Sequence, residues 1–132
     1  MLKPLLTVSI IAAAAPVAAL TPLHQNPTVV DRFYSIGLAD AVRKNCGTID
    51  ARMFRAYRYL KSIESYAREA GYTDAQIDEF VDNKAEKAKL KARIARDLAK
   101  RGATAKNPEG YCTVGREEIA KGSAAGRLLR AK

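Results

Sequence analysis

Two cysteines constrain this chain more than any other feature: Cys46 in Asn45-Cys46-Gly47-Thr48 and Cys112 in Gly110-Tyr111-Cys112-Thr113, with no third among its 132 residues. In an oxidising compartment an even cysteine count in a short chain reads as a cross-link, whereas in a reducing one it does not. The amino terminus points to the oxidising case. Met1, Leu2 and Lys3 form a short positive start, and Leu5 to Val17 is apolar apart from Thr7, Ser9 and Pro16. Val17-Ala18-Ala19 then places small residues before a cut, so residues 1–19 read as a secretory signal peptide cleaved after Ala19. A membrane anchor is the alternative, but the run falls short of the roughly 20 apolar residues that span a bilayer. No cysteine lies near the cut to carry a lipid. The expected product is a periplasmic or secreted protein with no transmembrane segment in the mature chain, residues 20–132.

Such a chain fits one domain, burying roughly 60 per cent of its unfolded surface. A Cys46–Cys112 bond is the only intramolecular pairing possible, unless two chains join through these residues. It would close a loop of about 67 residues, worth about 4 kcal/mol in the chain-entropy model, against a total stability of about 5–15 kcal/mol. A redox-active thiol is the alternative, but it calls for a nearby partner, and no Cys-x-x-Cys is present.

The remainder reads as helices: an all-α fold, a small bundle of about four helices with one disulfide. Residues 20–26 include Pro22 and the only histidine, His24, lack periodicity, and read as a flexible tail before a single domain over 27–132. Asn26-Pro27 has the form of a helix start, asparagine as cap and proline in the first turn. Val29, Val30, Phe33, Tyr34, Ile36, Leu38, Ala41 and Val42 then spread over a wide arc, which suits a helix covered on several sides. Its end is expected at Cys46-Gly47, with the glycine in a left-handed cap. Thr48 is expected to cap a second helix whose Ile49, Met53, Ala56, Leu60, Ile63, Ala67 and Ala70 recur at helical spacing until Gly71. Phe54 lies off that stripe beside Arg58 and Lys61; the carboxy-terminal segment is its expected cover, a partner surface the alternative.

Thr73-Asp74-Ala75-Gln76 forms a capping box opening a third stretch, Asp74 to Arg101. Ile77, Phe80 and Val81 make one apolar row. Leu90, Ile94 and Leu98 make another, displaced by about 100° or less, while Ala88, Ala92, Ala95 and Ala99 continue the first. Either one helix is buried along two faces, or the chain bends near Asp82-Asn83. Asn107-Pro108-Glu109 repeats the cap-then-proline form for a fourth helix, with Cys112, Gly115, Ile119 and Gly122 on one face. Its glycines permit the close approach a disulfide requires, α-carbons within about 7 Å. Gly122-Ser123 then stops and restarts the chain, and Leu128 and Leu129 are apolar anchors.

Formal charge is +9, lowered by one when Lys3 leaves with the signal. That excess suggests an anionic envelope component or an acidic protein as partner. Its densest part is the third stretch, where Lys89, Arg93, Arg96 and Lys100 share one helical ridge, the candidate anion-binding surface. The plainer alternative is a solvated face. No aromatic residue lies between Phe80 and Tyr111, so the stacking groups of single-strand nucleic-acid binders are missing and no specific nucleic-acid binding is expected.

The fragments NCGTIDARM, AGYTDAQIDEFVDNKAEK and YCTVGREEIAKGSAAGRLLR resemble an uncharacterised domain-of-unknown-function family of small secreted helical proteins of Gram-negative bacteria. The likeness is strongest around Cys46, Arg52, Gly71, Tyr72, Phe80, Cys112, Gly115 and Arg116. It implies export, a helical fold and one disulfide, and no activity. A weaker likeness, in size and cysteines alone, is to small periplasmic acid-stress chaperones, from which the basicity departs.

No catalytic, cofactor-binding or metal-binding residues are assigned. His24 sits in the presumed tail, which leaves hydrolytic triads without a base. Bonded cysteines leave no zinc set. Adjacent carboxylates, Glu117 with Glu118 and Asp78 with Glu79, could do glycosidase-like work but are ordinary on solvated helices. Gly122-Ser-Ala-Ala-Gly126 lacks the lysine of a phosphate loop. The expected function is a non-catalytic periplasmic binding or interaction module with a basic surface; the alternatives are a periplasmic stress chaperone and a carboxylate-dependent envelope hydrolase.

Overall fold

The first helix, α1 (Pro27–Asn45), is the spine of the fold, in contact with most of its other elements. The computed structural model describes residues 20–132; the expected signal peptide, residues 1–19, lies outside them. Asn26 caps α1 by accepting the Val29 N–H at 3.1 Å, with Pro27 in the first turn. Both halves of α1 are covered, as the wide apolar arc predicts. Val29 packs with Leu23, Ile63, Ala67, Tyr72 and Ile77. Leu38, Ala39, Val42 and Cys46 join Ile49, Ile94, Leu98, Val114, Ala125, Leu128 and Leu129 in a second cluster, and Ile36 and Tyr59 border both.

After α1 the chain departs from the expected bundle. Cys46 itself ends the helix in an extended conformation, φ −126°, and Gly47 does not take the left-handed cap. Ile49–Ala51 is not the start of a helix but a strand, β1, paired antiparallel with β2 (Leu129–Ala131), Ile49 opposite Ala131. Among the described residues the fold is thus six α-helices with a two-stranded sheet, in place of an all-α bundle of about four helices. The reason is tertiary. Ile49 is only 2 % exposed and fills a notch at Gly115, where a Cβ would lie 2.5 Å from its Cδ1 and 2.7 Å from Val42 Cγ1. Reaching that notch draws residues 49–51 away from the helix that follows, α2 (Met53–Glu69).

Gly71 ends α2 at φ 102°, and Thr73 opens α3 (Asp74–Asp82) with both bonds of the capping box: Thr73 N–H donates to Gln76 Oε1 at 2.9 Å, Gln76 N–H to Thr73 Oγ1 at 3.2 Å. The long third stretch is broken, at Asn83, whose side chain caps α4 (Lys84–Lys100) by accepting the Glu86 N–H at 3.0 Å. One residue between two helices is enough to turn the second apolar row onto α1. Ile94 and Leu98 are buried, and the alanines Ala88, Ala92, Ala95 and Ala99 are exposed.

Helices α5 (Glu109–Lys121) and α6 (Ala124–Arg127) complete the fold. Asn107 does not cap α5; its amide instead donates to the Gly102 carbonyl at 2.7 Å, fastening the preceding loop. Ser123 caps α6 by accepting the Gly126 N–H at 3.0 Å. Residues 20–26, expected as a flexible tail, lie against the fold: Leu23–Gln25 form a 3-10 turn, Leu23 is buried, and the Tyr72 hydroxyl donates to the Thr21 carbonyl.

Cys46 and Cys112 are bonded, with α-carbons 5.2 Å apart, joining the end of α1 to the first turn of α5. Both residues are buried in the larger cluster. Reduction, or a Cys46→Ser/Cys112→Ser variant, should remove about 4 kcal/mol through loop entropy and lower the melting temperature by roughly 10–20 °C; calorimetry with and without reductant measures it. An independent check is Gly126→Ala. A Cβ there would lie 1.9 Å from the Glu118 carbonyl oxygen, so backbone must move, and urea unfolding should show a loss of about 3 kcal/mol.

Candidate anion-binding surfaces

The ridge Lys89, Arg93, Arg96 and Lys100 lies on one continuous helix, α4, so the row read from the sequence exists as a row. Its four charges are not equivalent. Arg93 belongs to the seam between α4 and α1: its guanidinium lies 4.6 Å from the Tyr34 ring centroid and 3.8 Å from Asp31. In the same seam the Tyr34 hydroxyl donates to Asp97 at 2.7 Å. Burial, together with that bond to a carboxylate, pushes Tyr34 up to about 12. Lys89 pairs with Glu86 at 3.1 Å. Among the described residues Arg96 and Lys100 have no carboxylate within 4.0 Å, and the same holds for Lys84, Lys87 and Lys91 on the same helix. The available charge of α4 is therefore spread along its length instead of concentrated on the ridge.

Glu117 and Glu118 converge on one cation. Arg101 contacts each carboxylate at 2.9 Å. Glu118 is the single buried charged residue among those described; it also accepts from Ser123 Oγ and lies 3.6 Å from Lys121. Burial alone would raise its pKa. The bonds from Ser123 and Arg101 and the charges of Arg101 and Lys121 outweigh that and hold it below its ordinary value of 4.5. A carboxyl kept ionised and fully bonded suits a clamp between α4, α5 and α6 better than a proton donor. Asp78 and Glu79 are both exposed on α3, and His24 is exposed within the Leu23–Gln25 turn.

The carboxy-terminal segment expected over Phe54 does not cover it. Phe54 is 74 % exposed, with Met53 at 66 % and Tyr57 at 58 %, all on the first turns of α2. The carboxy-terminal segment instead pairs with β1, and the Arg52 N–H donates to the Leu128 carbonyl at 2.7 Å. Phe54, Tyr57, Arg58 and Lys61 recur at three- and four-residue spacing, a signal present in the sequence but overshadowed by the stronger stripe through Ile63.

Among the described residues no cluster of His, Cys, Asp and Glu could hold a metal ion, and no helix is long and apolar enough to cross a membrane. The fold and its surfaces define a small, disulfide-closed helical domain bearing exposed basic faces. The chain belongs to a family of unknown function, DUF5333, whose profile matches residues 21–130. No curated protein and no solved structure matches it.

The Glu118 clamp gives a pH dependence. Because its folded pKa lies below the unfolded one, its ionised form supports the fold; the contribution is full above about pH 4.5 and disappears as pH falls through the folded value. Glu118→Gln should cost about 2 kcal/mol at pH 7. The gap between variant and parent should narrow on acidification below pH 4.5, as read by urea unfolding across pH.

Proposed function

We propose that the protein is an exported, non-catalytic binding or interaction module of the bacterial periplasm whose basic surface takes an anionic partner, either an envelope component or an acidic protein. The observation that carries this reading is the set of basic side chains on α4, Lys84, Lys87, Lys91, Arg96 and Lys100, that face no carboxylate among the described residues. Cations left unpaired around a chain of net positive charge attract anions over about a Debye length, roughly 8–10 Å at physiological salt. Export draws support from the signal-like residues 1–19 and from a disulfide buried in the core, which requires an oxidising compartment to form.

Exposed Met53, Phe54 and Tyr57 favour a second reading, a periplasmic stress chaperone that holds unfolded clients on an apolar face. Suppression of client aggregation at low pH is its assay.

The binding reading predicts that the oxidised protein is retained on vesicles of anionic phospholipid or on an acidic polypeptide at low salt, with retention falling steeply between about 50 and 200 mM salt. An Arg96→Glu/Lys100→Glu variant should release from the vesicles at lower salt than the parent. Retention that ignores salt, or none on either probe, would sink the proposal.

A further inference from the structure

The basic face of α2 differs in chemistry from that of α4. Arg58 Cζ lies 5.9 Å from the Phe54 ring centroid and Lys61 Nζ 5.6 Å from that of Tyr57, so aromatic and cationic groups interleave on one helix face. Beside it, between α2 and α6, is a depression of about 390 Å³ lined by Arg55, Arg58, Tyr59, Ala124, Arg127 and Leu128. Leu128 is buried and Tyr59 half-buried, giving an apolar floor. Arg55 donates to the Arg127 carbonyl at 3.2 Å, and Arg52 Nε donates to the Leu129 carbonyl at 3.1 Å, which ties the first turn of α2 to the chain end. A guanidinium has five N–H donors, so each keeps donors unused. Among the described residues none of Arg52, Arg55, Arg58 and Arg127 has a carboxylate within 4.0 Å.

Arginine, aromatic residues and methionine are the side chains enriched where proteins bind one another, whereas lysine is depleted there. By that measure α2 with α6 has the composition of a protein-docking surface, whereas the lysine- and alanine-rich α4 has that of a face that attracts anions by charge alone. A lipid surface is a poorer fit, because helices that lie on membranes separate their apolar and basic residues onto opposite faces. Here they alternate around a concavity. We infer that the α2–α6 surface docks an acidic segment of a partner protein: an apolar side chain of that segment enters the depression over Tyr59 and Leu128, and its carboxylates pair with Arg55, Arg58 and Arg127. This rests on the binding-module reading and adds, beside the α4 face that attracts anions by charge alone, a second surface that recognises one class of partner.

The test titrates the oxidised, 15N-labelled protein with three probes: an amphipathic peptide of Glu and Leu, a Glu-only peptide of equal charge, and phosphatidylglycerol vesicles. Saturable binding of the Glu/Leu peptide is expected, with amide shifts confined to residues 52–61 and 124–130 and affinity at least tenfold above that for the Glu-only peptide. Arg58→Glu/Arg127→Glu should weaken it at least tenfold with unchanged far-ultraviolet circular dichroism, whereas Arg96→Glu/Lys100→Glu should leave it intact. Shifts confined to α4 would overturn this inference while the binding module stands. Vesicle binding through residues 52–61 without peptide binding would replace the acidic segment with a membrane and likewise overturn it. No binding of any probe would bring down both.

Discussion

The covalent bond between Cys46 and Cys112 sets where the rest of the chain can go. It fixes the end of α1 within 5.2 Å, α-carbon to α-carbon, of the first turn of α5, and helices can approach so closely only where side chains are small. Gly115 supplies that on α5, and Gly110 lets the loop after α4 close against the same turn. A Cβ at Gly110 would lie 2.1 Å from the Gly102 carbonyl oxygen, and one at Gly115 would strike Ile49 and Val42. The bond, the two notches and the isoleucine that fills one of them act as a unit. From that unit follow the turn out of α1, the strand β1, and the placement of α6 against α5 at Gly126.

How much of this was readable in the residues depends on how local each cause is. The Asn26-Pro27 start, the Thr73–Gln76 capping box and the Gly71 stop act within four residues, and each is visible as a short motif. Residues 49–51 are different. Their extended conformation answers to Gly115 and to Leu129, far along the chain, and a three-residue strand is too short to show an alternating pattern. Asn83 falls between: both helices around it have helical periodicity, so only the offset of Leu90, Ile94 and Leu98 from Phe80 betrays the break. On the surface, the spacing of the α4 ridge was plain, but Arg93 is engaged with Tyr34 and Asp31, partners on another helix. Phe54 shows the opposite case, an aromatic residue expected under the carboxy-terminal segment that is exposed because that segment pairs with β1.

Charge is distributed here in two chemical styles. Along α4 it is carried mostly by lysine on an alanine-rich helix, flexible stems with compact, strongly hydrated heads. Around α2 and α6 it is carried by arginine, planar and weakly hydrated, set against rings and tied to backbone carbonyls. Glu118 and Arg101 form a third arrangement, in which charge is turned inward to hold helices together. A net charge alone would not separate these roles.

The two-stranded sheet also bears on the order of folding. Helical domains gain speed from contacts close in sequence, but β1 and β2 pair across on the order of 80 residues, and the Lys132 N–H donates to the Thr48 carbonyl at 2.9 Å. Val42 and Ile49 thus gain their last cover from Leu129 and its neighbours, late in the chain. Until that strand pairs, Val42, Ile49 and the neighbouring Cys46 lack the cover that Leu129 and its neighbours provide.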